Sequence, residues 1–418
     1  MSRSFALRLY ALTTGALAPL IPQWLDARAR RGKEDPARLG ERLGRAGLPR
    51  PMGPLVWLHA VSVGESLSLL ALIERFGAER PDLSILVTTG TRAAAEVLVD
   101  RLPPGALHQY APVDTPGAAA RFLLHWRPAL AVFVESELWP NLILDAKARG
   151  VRLALVSAGM SATSFAGWRR VPAAARTVLT AFDLVLARDE GSARRLRVLG
   201  ARVDGLADLK FGAASLPVDD QDVAAFRDAL DGRPVILVAS THEGEDAPVM
   251  DGFANLARGP LLVIVPRHPR RGGDIAALAT ARGLRVGRRS QGDGPVDLDV
   301  CVADTLGELG LWYSLARLAV IGGSLVRRVG GHNPLEAARL DCPFVAGPHV
   351  EKWPVYDALI AARATCRITA GDLSAVFADA MRDDADLPAM AVRARQFVAD
   401  GDVAARVAMT RVLALAPR

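Results

Sequence analysis

Short apolar runs recur along this chain, each followed by a polar or glycine-containing turn and then by an amphipathic stretch. In the first half they lie at 55–60, 85–87, 129–134, 152–156 and 184–186. In the second half they lie at 235–239, 261–265, 299–302, 318–321 and 343–346. A run that is apolar throughout, rather than alternating, suits a strand covered on both faces. Strand and helix signals in alternation predict parallel sheets layered by helices, and two such series predict two doubly wound, Rossmann-like α/β domains. The stretch 212–233 is polar, contains Pro217 and an acidic patch, and predicts a linker with one helix. The expected division is 1–34 for an N-terminal segment with a basic flank, 35–212 for the first α/β domain, 213–233 for the linker, and 234–418 for the second domain. The last helical stretches, after Leu387, suit packing on either domain.

The N-terminal pattern differs from all of this. Residues 9–25 are uncharged and moderately apolar, near the short limit for a spanning helix, where about 20 residues are expected. Pro19 and Pro22 interrupt the run. Arg28, Arg30, Arg31 and Lys33 follow it where a secretory signal would show a small-residue cleavage site. These cations outnumber Arg3 and Arg8 before the run, so the positive-inside rule keeps the following body in the cytoplasm. The segment predicts a short membrane-associated helix, either spanning or lying in the interface.

Composition narrows the function. Half of the residues are apolar and 23% are charged, which excludes a disordered chain. Cys301, Cys342 and Cys366 are scattered, with no CxxC or Cys/His cluster, which excludes a disulfide scaffold and a structural zinc site. The net charge of +6 suits an anionic membrane face or a phosphorylated substrate. Nucleic acid is the weaker option, because aromatic residues make up 6% and are not interleaved with the basic ones. There is no P-loop, intact GxGxxG after a strand, HExxH or GxSxG. One DxD, Asp297-Leu298-Asp299, runs straight into a strand without a second acidic cluster, so no metal and no cofactor are expected.

Ligands of open α/β sheets bind beyond the carboxyl ends of the strands, and the unusual residues of this chain fall there. Ser62-Val63-Gly64-Glu65 opens a helix, either as a capping box or with Glu65 as a base at a cleft rim. Glu135-Ser136-Glu137-Leu138-Trp139-Pro140-Asn141 puts a nearly buried carboxylate at a strand end, where it needs a partner or a task. Ser240-Thr241-His242-Glu243-Gly244-Glu245 is cap-like. Pro266-Arg267-His268-Pro269-Arg270-Arg271 gathers cations fit for an anion, against the plain alternative of a solvated charge run. Asp304-Thr305-Leu306-Gly307-Glu308 starts another helix. Gly322-Gly323-Ser324 and Gly330-Gly331-His332-Asn333-Pro334-Leu335-Glu336 bracket a loop, and a double-glycine pair leading into a helix opened by Pro334 lets amide groups face a phosphate.

In this order, SVGE, ESELWPNL, LKF, STHEGE, PRHP, DTLGEL, GGSLV, GGHNPLE and GPH resemble the bacterial Kdo (3-deoxy-D-manno-octulosonic acid) transferases of lipopolysaccharide assembly. The resemblance spans residues 7–353. It implies a GT-B fold, two Rossmann-like domains with a cleft between them, and inverting transfer from CMP-Kdo to a lipid A precursor at the cytoplasmic face of the inner membrane. It also implies roles: Glu65 as general base, Glu135 and Lys210 as transition-state stabilisers, and CMP held by Pro266, Arg267, Leu306, Gly307, Glu308, Asn333, Pro334, Leu335 and Glu336. CMP carries one phosphate, so a metal bridging a diphosphate is dispensable.

The chain departs from the family pattern in places. Thr91-Arg92-Ala93-Ala94 stands where the pattern has threonine-proline-threonine-glycine, and Gly212 replaces an aspartate. Ser157-Ala158-Gly159 stands for asparagine-alanine-arginine, so an arginine is absent there. These changes bear on the acceptor more than on the donor. The alternatives are a GT-B transferase for another CMP-linked acidic sugar or acceptor, and a decayed relative that binds only lipid or nucleotide.

Overall fold

The computed structural model describes residues 4–135, 138–254, 256, 259–382 and 386–417. Its contacts divide the chain into two compact units, residues 1–214 with 401–418, and residues 215–400. The stretch expected as a linker therefore carries a helix of the second unit, Asp220–Leu230, while the chain end joins the first.

The first unit holds seven parallel strands: β1 (Leu55–Ala60), β2 (Ser84–Thr89), β3 (Leu107–Tyr110), β4 (Leu130–Val134), β5 (Arg152–Ala158), β6 (Leu184–Ala187) and β7 (Gly205–Leu206). Their order across the sheet is β3-β2-β1-β4-β5-β6-β7. Side chains alternate between two cores as a period-2 strand dictates. Leu55, Trp57, Ala131 and Phe133 face one core; Val56, Leu58, Val132 and Val134 face the other. The end of the long helix Leu387–Leu413 closes the second core with Met409, Val412 and Leu413.

The second unit has six parallel strands: β8 (Val235–Thr241), β9 (Leu261–Pro266), β10 (Val286–Arg288), β11 (Val300–Val302), β12 (Ala316–Ile321) and β13 (Phe344–Ala346). Their order is β10-β11-β9-β8-β12-β13. Both sheets are doubly wound, and the chain changes direction between β1 and β4 in one and between β8 and β12 in the other. Those switch points are where the carboxyl-end loops diverge and leave room for a ligand.

Near the N-terminus the helix Phe5–Leu17 runs through a 3₁₀ turn at Ala18–Leu20 into Ile21–Arg30. The turn sits where Pro19 and Pro22 interrupt the apolar run. Taken together, Phe5–Arg30 is long and apolar enough to cross a membrane. One side of it is docked on the first unit. Leu7 and Leu25 are buried, Tyr10 Oη donates to Asp114 (2.9 Å), and Asn141 Nδ2 donates to Thr14 Oγ1 (3.0 Å). The other side leaves Phe5, Leu9, Leu12, Leu17, Leu20 and Trp24 exposed.

Candidate active site

At the first sheet's switch point, β1 ends at Ala60 and the helix Val63–Ser68 begins. Half of the expected capping box is present: Ser62 Oγ accepts the Glu65 N–H at 3.4 Å, but the carboxylate does not return to the Ser62 N–H. The carboxylate of Glu65 folds back on the cap, accepting from the Val61 N–H at 2.8 Å and from the Ser62 hydroxyl at 2.6 Å. Glu65 is 9% exposed, so it is a fixed carboxylate at the sheet edge rather than a solvated one.

Across the switch point, β4 delivers Glu135. This residue sits in the left-handed region, φ +61°, a conformation that costs a non-glycine residue about 1–3 kcal/mol and concentrates at functional sites. Its N–H remains in the sheet, donating to Val156 O at 3.0 Å. Its carboxylate meets two cations, Lys210 Nζ at 2.7 Å and the Arg188 guanidinium at 3.7 Å. Lys210 arrives from 75 residues away on the 3₁₀ turn Leu209–Gly212. Two bonds fix that turn: the Leu209 N–H donates to Ser157 Oγ at 2.9 Å, and the Lys210 N–H donates to Asp208 Oδ1 at 3.0 Å. Ser157 is itself left-handed (φ +50°) at an irregularity in the β5–β6 register. Burial pushes the Asp208 carboxyl above its usual range, against the pull of Lys210 and Arg188. The helix Val63–Ser68 packs on the same turn, so the elements carrying Glu65 and Lys210 are neighbours. Ser136 and Glu137 lie outside the described residues. Trp139 packs against the core edge-on to His59, and Asn141 is held under the N-terminal helix, so both support the loop.

The second unit arranges its strand ends differently. At its switch point lies Glu245, fully buried, which accepts the N–H groups of His242 (2.9 Å), Gly323 (2.7 Å), Ser324 (3.1 Å) and Leu325 (2.9 Å). The Gly323 and Ser324 amides are thus occupied by an internal carboxylate, and the Gly322 N–H donates to Ala239 O at 2.7 Å. The Gly331 N–H is likewise engaged, by Gly323 O at 2.8 Å. Of the three clustered arginines, Arg271 is spent on Asp246 and on Thr241 O. Arg267 is exposed at the end of β9, with its N–H bonded to Thr241 O at 3.0 Å. Asp299 of the DxD is clamped by Arg285 at 2.9 Å.

Around Arg267 the charges converge. Asn333 Nδ2 donates to Glu336 Oε1 at 3.2 Å, and burial raises the Glu336 carboxyl although Asn333 and Arg267 pull it down. His242 and His332 stack at 5.1 Å between centroids, with their Nε2 atoms 2.9 Å apart. One nitrogen must donate and the other accept, so the pair cannot carry two charges. Burial, His242 and Arg267 push His332 down to about 4. Leu306, Gly307 and Glu308 follow β11, the neighbour of β9. Leu306 is 84% exposed, Gly307 has φ +90°, and Glu308 is paired with Arg289 at 2.7 Å. The structure thus brings Arg267 into the field of Asn333–Glu336, and keeps Leu306–Glu308 on the same sheet edge as a separate group. Sequence reasoning missed Arg188, Glu245 as an amide cap, and the histidine pair. Only Glu245 left a signal, as the second carboxylate of a cap-like string.

Comparison with known proteins now bears on this geometry. A family profile described as "3-Deoxy-D-manno-octulosonic-acid transferase (kdotransferase)" matches residues 37–213. The 3-deoxy-D-manno-octulosonic acid transferase of Bordetella pertussis is 39% identical over 360 residues, which cover 82% of this chain and 83% of that protein. The chain belongs to the Kdo transferase family. The family extends to a "Probable 3-deoxy-D-manno-octulosonic acid transferase, mitochondrial" of Arabidopsis thaliana, 37% identical over 83% of this chain and 80% of that one. MurG of Acinetobacter baumannii, at 12% identity, shares the fold with a TM-score of 0.57 over 86% of this chain and 99% of its own. As a Kdo transferase the protein is a glycosyltransferase, and its two doubly wound units make it a member of the GT-B architecture.

Proposed function

We propose that this Kdo transferase moves Kdo from CMP-Kdo to a hydroxyl of a lipid A precursor, with inversion at the anomeric carbon. The observation that carries the reading is the 2.7 Å pair between Glu135 and Lys210, which joins two distant family motifs at one strand end. In the transfer, the bond between the anomeric carbon and the phosphate oxygen of CMP breaks as the acceptor oxygen attacks from the other face. Glu65 takes the acceptor's proton, its orientation set by the Val61 N–H and the Ser62 hydroxyl. Lys210, with Glu135, stabilises the charge that develops as CMP leaves. On the second unit, Pro266 and Arg267, Leu306-Gly307-Glu308 and Asn333-Pro334-Leu335-Glu336 bind CMP. Arg267 supplies the cation, and Glu336 with Asn333 supplies acceptors for ribose hydroxyls. No step calls for a metal or a cofactor.

The exposed side of Phe5–Arg30 rests in the inner membrane as a single N-terminal anchor, with both units on the cytoplasmic side. Arg30, Arg31 and Lys33 are exposed just beyond it, where the anionic leaflet attracts them. The acceptor is a phosphorylated lipid of the same leaflet.

Incubation of the purified protein with CMP-Kdo and a lipid A precursor, read by product mass, tests the proposal. Product heavier by one or more Kdo units is expected, unchanged by EDTA. Transfer of a different CMP-linked sugar, or binding without turnover, would replace this reading.

A further inference from the structure

We propose that Arg188 is a positioning residue of the transfer site, supplying from just after β6 a guanidinium beside Gly159, the position one strand away where the resemblance implies an arginine. The inference rests on the reading of Glu135 and Lys210 as transfer-site residues.

The geometry is specific. β5 and β6 are neighbours in register at Ala158 and Ala187, and the Arg188 N–H donates to Ala158 O at 3.1 Å. From there the Arg188 side chain lies over Gly159. A Cβ built on Gly159 would meet Cζ and both terminal nitrogens of Arg188, each at 3.3 Å. That is closer than most side-chain contacts, so the guanidinium packs where a residue at 159 would begin and would have to give by a few tenths of an ångström to admit one. The missing arginine and the room for Arg188 are one change seen from two strands.

The guanidinium is oriented as well as housed. Its Nε donates to Asp189 Oδ2 at 3.3 Å, while Asp189 Oδ1 accepts the Ser192 N–H at 2.6 Å and caps the next helix. A terminal nitrogen then faces Glu135 Oε2 at 3.7 Å, while Lys210 holds Oε1 at 2.7 Å. Each oxygen of the left-handed Glu135 thus has its own cation. With Arg188 gone, a single lysine would have to hold a carboxylate whose backbone conformation is strained. The Glu135–Lys210 pair would then wander, and small displacements at a transfer site are costly in rate.

The test moves the guanidinium back. Wild type, Arg188→Gln, Gly159→Arg and the double variant Gly159→Arg/Arg188→Gln are assayed with CMP-Kdo and a lipid A precursor, with melting curves as the check on folding. Arg188→Gln should lower kcat about tenfold or more, with KM for CMP-Kdo within about twofold of wild type. Gly159→Arg alone should also lose activity, because two guanidinium groups compete for one space. The double variant should recover most of the kcat, as a generic loss of packing would not. Wild-type kcat in a folded Arg188→Gln overturns the proposal while leaving the function intact. A folded double variant no faster than Arg188→Gln overturns it too. If Arg188→Gln does not fold, the double variant decides alone: folding with activity supports the proposal, and folding without it refutes it. A wild type that transfers no Kdo removes the functional reading, and this inference with it.

Discussion

The two sheets wind the same way and use their switch points in opposite ways. Between β1 and β4 the first unit exposes chemistry: Glu65 on one side, Glu135 with Lys210 and Arg188 on the other. Between β8 and β12 the second unit closes the corresponding crevice with Glu245, whose carboxylate takes four backbone N–H groups. The residues proposed to bind CMP lie at its flanks, after β9 and in the loop after β12. A switch point therefore offers converging amides and a gap, and the side chain placed there decides whether the gap becomes a reaction site or a rigid joint. An internal carboxylate is itself an anion, so the second unit's loop is set before any phosphate arrives.

Glu65→Gln sharpens the first half of this contrast most. If Glu65 only caps its helix, the amide retains most of the capping bond and turnover barely moves. As the base it cannot be replaced by an amide, and turnover should fall about 10²–10⁴-fold with melting temperature and CMP affinity near wild type. Steady-state turnover at saturating donor and acceptor decides between the two.

Glu245→Ala addresses the other switch point. Here stability, not chemistry, should suffer, because buried N–H groups at Gly323, Ser324 and Leu325 lose their acceptor at about 1–3 kcal/mol each. A loss of at least about 3 kcal/mol in denaturant unfolding is expected. A variant as stable as wild type would mean that the joint is not needed. Arg267→Ala should be milder, weakening CMP by about 1.5–3 kcal/mol, the scale of a charged hydrogen bond, without loss of stability. Calorimetric titration with CMP measures this, and unchanged affinity would remove Arg267 from the donor site.

The smallest effect concerns pH. His332 is pushed down to about 4 in the fold, from 6.5 when free. The unfolded chain therefore takes up this proton first as pH falls. The contribution of His332 is whole above about 6.5, is lost progressively below that, and levels off below about 4. His332→Gln should flatten the stability-against-pH curve in this window by less than one proton's slope. A curve parallel to wild type would place the burial effect elsewhere.

How far the sequence foretold this molecule depended on how many sides of an element face protein. Buried central strands announced themselves: the run 55–60 is β1 to the residue, and 235–239 and 261–265 fall inside β8 and β9. The strands left unannounced, β3, β7 and β10, are all edges of a sheet or next to nothing on one side. The edge strand Leu107-His108-Gln109-Tyr110 keeps polar residues that bond within the protein, Gln109 Oε1 accepting the Trp126 indole N–H at 3.0 Å and His108 meeting Arg38 and Thr89, and its apolar run is lost. The site followed the same logic. Glu65 and Glu135 lay in strings unusual enough to notice, whereas Lys210 entered only through the resemblance, which paired it with Glu135 before any distance was known. Arg188 stayed hidden because an arginine just before a helix looks like ordinary solvated charge. What draws attention to it is its guanidinium packed against Gly159, which only the neighbouring strand reveals. Glu245 read as one more helix cap, and three of its four amide partners come from a segment about 80 residues further on.

The contacts between the N-terminal helix and Asp114 carry a practical consequence. Asp114 receives Tyr10 Oη with one carboxylate oxygen, and with the same carboxylate it accepts the N–H groups of Asn141 (3.1 Å) and Leu142 (2.8 Å), the start of the helix that follows the Glu135 loop. Thr14 meets the Asn141 side chain beside it. Trimming the first thirty or so residues, the obvious route to a detergent-free preparation, would therefore withdraw a splint from the loop after β4 as well as the proposed foothold in the membrane. Rates measured on such a shortened enzyme would then mix two losses, and adding lipid back would repair neither.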